Sequence, residues 1–199
     1  MTNSYEDYSE DAAYHNAILI EKLEKKFGEI NDLLYTTSVP NEELEVKILP
    51  YIAEDVIFRD PWQEGGNKDI YSIGMKGFHN MFHFTFDTYQ IGVQLHGTIG
   101  RCIVDGRMDL KQFSWIYTFP LRTIVVYDFR LLDADGPDGV KFEIFRHEEM
   151  WSYLELIEGI PGIGWIYKNM FRPAFGHLFV GVSYLSCIIS PLFKICPQK

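Results

Sequence analysis

Acidic residues are missing from the last part of the sequence. No Asp or Glu follows Glu158, whereas Lys168, Arg172, Lys194 and Lys199 do. The whole chain has a formal net charge of -10, so by subtraction the residues up to Glu158 carry -14. This acidic part of the chain lacks the row of Lys and Arg side chains that binding to a nucleic-acid phosphate backbone requires. Nucleic acid is therefore not an expected partner.

Cysteine is scarce as well. Cys102, Cys187 and Cys196 are odd in number and irregularly spaced, which argues against a secreted disulfide framework and a four-cysteine zinc site. Residues 1–11 are acidic and lack an apolar core, so they resemble neither a secretory signal nor a transit peptide. We expect an intracellular protein with a disordered leader over residues 1–11.

Motifs for nucleotide, hydrolase and zinc-protease chemistry are also absent. The sequence has no G-x-G-x-x-G, G-x-x-x-x-G-K-[ST], G-x-S-x-G or H-E-x-x-H, and no cofactor is expected. The "GIPGIG" stretch at 159–164 predicts a hinge. His79 and His83 lie four residues apart on a predicted helix, so they share a face as two metal ligands would. No third ligand completes them, so no metal site is predicted.

What is present is enough for a core, since 47% of the residues are hydrophobic and 16% are aromatic. The first half predicts helices around a short strand at Val56–Arg59. Apolar residues at spacings of three and four predict one face of a first helix: Ile20, Leu23, Phe27, Ile30 and Leu34. A second helix starts near Asn41, and a third is predicted over Asp69–Phe86, where Gly74 and Gly77 weaken the pattern.

The second half reads as β-structure. The predicted strands and turns are Ile91–Val104, an Asp105-Gly106 hairpin turn, Arg107–Phe119, Leu121–Leu132, a loop at 133–139 and Val140–Trp151. Helices followed by adjacent strands predict an α+β fold with the helices against one face of an antiparallel sheet. Asp128 and Arg130 are expected to form surface ion pairs with neighbouring strands.

Two segments carry a resemblance to a known family. "PYIAEDVIFRDPW" at 50–62 and "RLLDADGPDGVKFEIFRHEEMWS" at 130–152 resemble the NTF2-like superfamily, especially its SnoaL-like and SigF-like branches. The resemblance covers residues 14–152, and Asp60-Pro61 and His147 with Trp151 are its most specific parts. It implies a cone over residues 12–158, in which a curved antiparallel sheet wraps around N-terminal helices and leaves a pocket. That fold hosts isomerases, dehydratases, cyclases and transport factors, so it does not settle function.

Three residues are the candidates for catalysis. In the resemblance Asp60 sits at the pocket rim, where desolvation would raise its pKa and suit it to act as a general base. The alternative is that Asp60 holds a turn before Pro61. His147 shares a strand face with Glu149 and is either a proton partner in the cavity or a half-buried histidine bonded to a neighbouring strand. Tyr117 is a candidate donor to an oxyanion, as in steroid-isomerase-like members.

Two functions remain open at this point. The first is a module that binds a small apolar ligand or a protein partner, and the second is an isomerase, dehydratase or cyclase acting on a hydrophobic substrate. The first is preferred because no spacing forces a reaction. The resemblance also makes a homodimer plausible. The residues expected to contact a ligand are aromatic: Trp62, Phe82, Trp115, Tyr117 and Trp151.

The segment 159–199 is predicted to be a hinge followed by an apolar tail. Ala174 to Phe193 has no charged residue over a length that permits a membrane span. Three interpretations compete: a membrane anchor, a membrane-surface helix pair broken at Pro173, and a helix that closes the cone. Membrane association through 174–193 ranks first, because basic residues flank a segment without acids. A pocket beside a membrane would favour a lipid-like or isoprenoid-like ligand.

Overall fold

The computed structural model describes residues 4–36, 39–61, 63–110, 118–132, 140–160 and 162–193. The chain divides into two compact units, one ending at Ser152 and the other starting at Tyr153. This boundary lies a few residues before the predicted one at 158. Each unit is described separately below.

The first unit contains helices and strands in an α+β arrangement, as predicted. The elements are α1 (Ser4–Leu34), α2 (Asn41–Lys47), a 3₁₀ turn (Leu49–Tyr51), β1 (Ile52–Arg59), β2 (Glu64–Gly65), α3 (Lys68–Met81), β3 (Phe84–His96), β4 (Ile99–Leu110), β5 (Phe119–Leu131) and β6 (Phe142–Trp151). Helix α1 starts at Ser4, so most of the predicted disordered leader is helical.

The six strands form one curved sheet in the order β2-β1-β6-β5-β4-β3. The pairs from β3 to β6 are antiparallel, as is β1 with β2, but β1 and β6 run parallel. The sheet is therefore mixed, where a wholly antiparallel sheet is predicted. A parallel pair requires a long crossover. Helix α3 and strands β3–β5 supply that crossover and bring the last strand of the unit next to the first.

Helix α1 packs its apolar face against the inner face of the sheet. Leu23, Phe27, Ile30 and Leu34 are buried, as their spacing predicts. The Phe27 ring is at the centre of an aromatic cluster, with ring centroids 4.8 to 5.5 Å away on three strand residues: Tyr127, Phe129 and Phe142. Removing a buried ring of this kind costs about 3–5 kcal/mol.

A bulge in β6 decides which of its side chains face inward. In the β5–β6 register, two β6 residues, Phe145 and Arg146, take the place of one. Ile144 before the bulge is buried, and so are His147 and Glu149 after it. Strict alternation from Ile144 would instead have turned Arg146 inward, because side chains alternate between faces with a period of two. The bulge thus brings two ionisable side chains to the helix-covered face.

The third helix and the first hairpin differ from the prediction. Helix α3 ends at Met81, and Phe86 belongs to β3. The β3–β4 turn lies at Gly97, whose φ of 65° suits glycine, and not at Asp105-Gly106. Gly106 lies inside β4 instead. The position requires glycine because a Cβ there would collide with the Phe86 ring and stand 2.6 Å from the Asp87 carbonyl oxygen.

The outer face of the sheet carries cross-strand ion pairs. Arg101 donates to Asp128 at 2.6 Å, and Arg130 pairs with Asp55 at 2.8 Å and with Glu143. Asp128 and Arg130 thus pair with neighbouring strands, as predicted. Such surface pairs stabilise a fold by about 0–1 kcal/mol each.

The second unit is helical. Its elements are α4 (Tyr153–Glu158), α5 (Ile163–Ile166), a π-helix (Tyr167–Phe171) and α6 (Arg172–Phe193). The predicted hinge is a tight turn in which Gly162 has a φ of 81° and Gly164 packs against the Glu158 carbonyl. Arg172 pairs with Glu158 at 2.8 Å.

The tail helix is not broken at Pro173. Helical backbone continues from Ile163 to Phe193, and the π-helical turn Tyr167–Phe171 comes directly before Pro173. Such a local change of helix type is a common way to accommodate a proline, which has no N–H to donate. None of the helices that the structure describes combines the length and hydropathy needed to span a membrane. Of the predicted membrane associations, the spanning anchor therefore has no support among these helices.

Candidate functional site

A cavity of about 350 Å³ lies in the first unit, where the end of α1, the end of β1, helix α3 and strand β6 meet. Its size is at the lower end of the range for small-molecule pockets. The described residues that line it are Leu34, Tyr35, Phe58, Asp60, Gln63, Glu64, Gly65, Gly66, Ile70, Tyr71, Gly74, Met75, Phe78, His79, His147, Glu149 and Trp151.

The cavity has an apolar part and a polar part. Helix α3 contributes side chains to the apolar part, among them Met75 and Phe78. The polar part is made by four residues from three elements: Tyr35 after α1, Tyr71 on α3, and His147 and Glu149 on β6. All four are at most 9% exposed. A buried polar cluster of this kind needs its hydrogen bonds satisfied.

Hydrogen bonds connect these four side chains in a chain. The Tyr71 hydroxyl lies 2.9 Å from His147 Nδ1, and the Tyr35 hydroxyl lies 3.1 Å from His147 Nε2. The Tyr35 hydroxyl also donates to Glu149 Oε1 at 2.5 Å. Trp151 Nε1–H donates to Glu149 Oε2 at 2.9 Å. We call the four residues Tyr71, His147, Tyr35 and Glu149 the polar chain.

The polar chain has a direction when Glu149 is ionised. A tyrosine hydroxyl has one proton, and that of Tyr35 points to Glu149. Its oxygen must then accept from His147 Nε2–H, which leaves Nδ1 to accept from the Tyr71 hydroxyl. The arrangement fixes one tautomer of a neutral imidazole. Strand register positions this ring, because Phe58 pairs with His147 and their rings meet edge to face at 5.1 Å.

Burial moves the pKa values of both ionisable residues in the chain. It lowers the pKa of His147 to about 3, so that the ring is neutral at physiological pH. It raises the pKa of Glu149 to about 7, with a smaller contribution from the negative charge of Asp60. Hydrogen bonds from Tyr35 and Trp151 oppose that rise in the pKa of Glu149. A carboxyl group that titrates near neutrality inside a cavity is suited to exchange protons.

Asp60 lies in the same cavity as His147 but is held in a turn. Its carboxylate accepts from the Gln63 backbone N–H at 2.8 Å and from Gln63 Nε2 at 3.1 Å. This is the turn geometry of the alternative interpretation. The hypothesis of catalysis requires Asp60 and His147 to line one cavity, and they do.

The predicted ligand contacts have different outcomes. Trp151 lines the cavity. Phe82 is not among the described lining residues, and its ring packs on Phe78 with centroids 5.1 Å apart. Trp62, Trp115 and Tyr117 lie outside the described residues, so their predicted roles stay predictions.

The two helix histidines do not share a helix face. His79 lies on α3 and its Nε2–H donates to the Leu34 carbonyl at 2.6 Å, whereas His83 follows the helix and is exposed. The prediction that they share a face is wrong because α3 ends at Met81, before His83. Across the described ranges, no group of three or more His, Cys, Asp or Glu side chains is placed to hold a metal ion.

Sequence reasoning missed three members of the polar chain. Alternation along β6 places Glu149 on the face of His147, but charged residues usually face water. Tyr35 directly follows the apolar stripe of α1, and Tyr71 precedes Met75 on the same face of α3. Their contacts with His147 join residues 112 and 76 positions apart, which no local pattern encodes.

The fold and the cavity together define an α+β cone with a buried polar cluster along its cavity. No protein-family model matches the sequence, and a comparison with curated proteins finds no similar sequence. Solved structures do resemble it. A conserved protein from Planctomyces limnophilus superposes with a TM-score of 0.50 at 10% identity, over 66% of this chain and 96% of that one.

Two further structures have similar values. A proposed scytalone dehydratase from Novosphingobium aromaticivorans gives a TM-score of 0.49 at 14% identity, covering 69% of this chain and 86% of its own. A proposed dehydratase of the NTF2-like family from Streptomyces avermitilis gives 0.49 at 11%, covering 65% and 95%. Such low identities describe the fold and not the chemistry. The similarity to the Planctomyces limnophilus protein shows a shared fold alone. The α+β cone is the fold that the resemblance to the NTF2-like superfamily predicts.

Proposed function

We propose that the cavity of the first unit binds a small, largely apolar molecule that carries a hydrogen-bonding group. The observation that supports this most is the pairing of apolar side chains with a buried polar chain around one cavity of about 350 Å³. Ligand pockets typically combine an apolar lining with a few placed polar groups. The polar chain would orient the ligand and the apolar side chains would supply most of the affinity.

Two glycines of α3 provide a matched test. A Cβ at either Gly74 or Gly77 meets nothing within 4 Å, but only Gly74 lines the cavity. Native mass spectrometry of the full chain would detect a co-purified molecule and its release. We expect Gly74→Leu to lose the molecule and Gly77→Leu to keep it, while both gain about 1 kcal/mol of helix stability. Equal retention in the two variants would contradict the proposal.

A second candidate function is acid–base catalysis in the same cavity. It is supported by the position of Asp60, His147 and Glu149 around one cavity and by a Glu149 pKa of about 7. Glu149 would exchange the proton of a hydrophobic substrate, neutral His147 would hold the tyrosines, and Asp60 would serve as the predicted base. An isomerisation or dehydration needs only such proton transfers.

Turnover of the co-purified molecule distinguishes catalysis from binding. We expect the wild-type protein to convert it over time and Glu149→Gln to bind it unchanged, with a loss of about 10²–10⁴ in rate. Glu54→Gln is the control, because Glu54 is exposed and lies away from the cavity. If the wild-type protein binds the molecule without converting it, the result contradicts catalysis and supports the binding function only.

For the second unit we propose association with an anionic membrane surface. From the end of the π-helix along α6, large apolar side chains are exposed at spacings of four and three, on one face: Phe171, Phe175, Leu178, Val182 and Leu185. No acidic residue follows Glu158, and Lys168 and Arg172 are close by. Apolar burial at the headgroup boundary combined with basic charge suits anionic lipid.

Vesicle sedimentation of the full chain tests this proposal. We expect binding to vesicles that contain phosphatidylserine, weaker binding to phosphatidylcholine alone, and loss of binding in Phe175→Ser with Leu178→Ser. The control replaces exposed apolar residues of the first unit, Ile99→Ser with Ile103→Ser. A tail variant that changes the oligomeric state and not vesicle binding would assign the apolar face to a second copy of the chain.

A further inference from the structure

Among the described residues that line the cavity, the side chains that can carry a charge at neutral pH are all acidic. Three carboxyl groups line it, those of Asp60, Glu64 and Glu149, and none of the described lining residues is Lys or Arg. Glu64 has Arg59 at 3.9 Å at the exposed mouth. The inner part of the cavity therefore has acidic groups without a basic side chain among the residues that the structure describes.

Histidines do not supply the missing positive charge. Burial lowers the pKa of His147 to about 3 and also lowers that of His79. His147 Nε2 stands 3.9 Å from Glu149 Oε1, but the imidazole ring is uncharged at neutral pH. Both histidines therefore contribute dipoles and no net charge.

Among the residues that the structure describes, the groups that face Glu149 come from several elements packed around it. They are Tyr35 after α1, Tyr71 on α3, Tyr127 on β5, His147 and Trp151 on β6, and Asp60 after β1. Five of these are neutral and the sixth is an acid. The neighbours of Glu149 are thus neutral groups and one like charge. In such surroundings a buried carboxylate is destabilised relative to its protonated form.

Aromatic rings surround the same space. Tyr35, Phe58, Tyr71, Phe78 and Trp151 all line the cavity. The face of an aromatic ring attracts a cation within about 6 Å. Carboxyl groups and aromatic ring faces together favour a cationic ligand over a neutral or an acidic one.

We infer that the ligand of this cavity is a small apolar amine in its protonated form, held by Glu149 and the surrounding rings. This inference rests on the proposed binding function and names the ligand class. An ammonium group placed at Glu149 supplies a positive charge that none of the described lining residues provides, and it donates to carboxylate lone pairs that Tyr35 and Trp151 leave open. An acidic ligand would instead meet the like charges of the Asp60 and Glu149 carboxyl groups.

Three probes of similar shape and different charge test the inference. They are 2-phenylethylamine, 2-phenylethanol and phenylacetate, titrated into the full-length protein by calorimetry at pH 8, where Glu149 is ionised. We expect the amine to bind at least about tenfold more tightly than the alcohol, and phenylacetate more weakly than either. Binding of the alcohol as tightly as the amine overturns the charge inference alone. Failure of all three to bind overturns the proposed binding function as well.

Variants and pH give a second, independent readout. We expect Glu149→Gln to reduce amine affinity to within about twofold of alcohol affinity, whereas the exposed Glu54→Gln leaves both unchanged. Amine binding at pH 6.5 must release a proton from Glu149, which calorimetry in buffers of different ionisation heat detects. The alcohol should release none. Tight amine binding without proton release, retained in Glu149→Gln, would place the amine elsewhere and overturn the inference.

Discussion

The hydroxyl group of Tyr35 donates to Glu149 across 114 positions of sequence, at 2.5 Å. Its oxygen is also 3.1 Å from His147 Nε2, so one hydroxyl joins two ionisable residues. Protonation of Glu149 would turn every donor around: Glu149 would donate to Tyr35, Tyr35 to His147 Nε2, and His147 Nδ1–H to Tyr71. The charge on Glu149 therefore decides whether Tyr71 acts as a donor or an acceptor within the polar chain.

Tyr35→Phe should destabilise the first unit. The change removes the shared hydroxyl and leaves Glu149 Oε1 and His147 Nε2 buried with a lost partner. A buried polar group without its hydrogen bond costs about 1–3 kcal/mol. Urea unfolding measures the loss, and Tyr89→Phe, at an exposed position, should change stability by less than about 0.5 kcal/mol. Equal effects of the two changes would show that the shared hydroxyl does not stabilise the fold.

Stability should depend on pH in opposite ways through Glu149 and His147. The pKa of Glu149 is raised from 4.5 to about 7 on folding, so its contribution is greatest below pH 4.5 and is lost as pH rises to about 7. The pKa of His147 is lowered from 6.5 to about 3, so its contribution is present above pH 6.5 and is lost as pH falls towards 3. The two slopes oppose each other between pH 4.5 and 6.5.

In Glu149→Gln, the free energy of unfolding should keep the pH dependence that comes from His147 and lose the one that comes from Glu149. Relative to the wild-type protein, the variant gains stability as pH rises from about 4.5 to 7, by up to about 3 kcal/mol. Unfolding curves at half-unit steps of pH measure the difference. If the difference between variant and wild type is independent of pH over this range, Glu149 does not titrate there in the folded protein.

Asp60→Asn should lower the pKa of Glu149. The negative charge of Asp60 is one cause of the raised pKa of Glu149, after burial. Asn keeps the oxygen that accepts from the Gln63 backbone N–H, so the turn survives. Carbon-detected NMR of the Glu149 carboxyl group measures the shift. Gln63→Ala, which removes a donor to Asp60 without removing its charge, serves for comparison and should not lower the pKa of Glu149.

Gly106→Ala should destabilise the sheet, and Gly92→Ala should not. A Cβ at Gly106 runs into the Phe86 ring and the Asp87 carbonyl, while a Cβ at Gly92 meets nothing within 4 Å. Overpacking of this kind costs about 1–3 kcal/mol. An alanine at an open strand position stabilises by about 0.4–1 kcal/mol through the unfolded state. Thermal unfolding of the two variants should therefore move in opposite directions.

Periodicity predicted the parts of the fold whose patterns are long. The three-and-four spacing of α1 and the strands now assigned to β5 and β6 were predictable because burial repeats along each element. The stretch from Phe82 to Phe86 is predicted as helix, but α3 ends at Met81 and β3 starts at Phe84. Its aromatic residues fit either period over so short a length, and pairing with β4 decides for a strand.

The candidate site was predictable only in part. His147 and Asp60 came from the family resemblance, and the structure places both around one cavity. Glu149, Tyr35 and Tyr71 could not be assigned, because their role arises from a bulge at Phe145 and from contacts between distant elements. A raised pKa is likewise produced by burial, which no short stretch of sequence shows.

The parallel pairing of β1 with β6 has a consequence for synthesis on the ribosome. β6 is the last strand of the first unit to emerge, yet it lies in the middle of the sheet, with β1 on one side and β5 on the other. Until Trp151 has left the exit tunnel, both neighbours present unpaired edges, and such edges invite association with other chains. The sheet of the first unit therefore closes these edges only when β6 is inserted between β1 and β5.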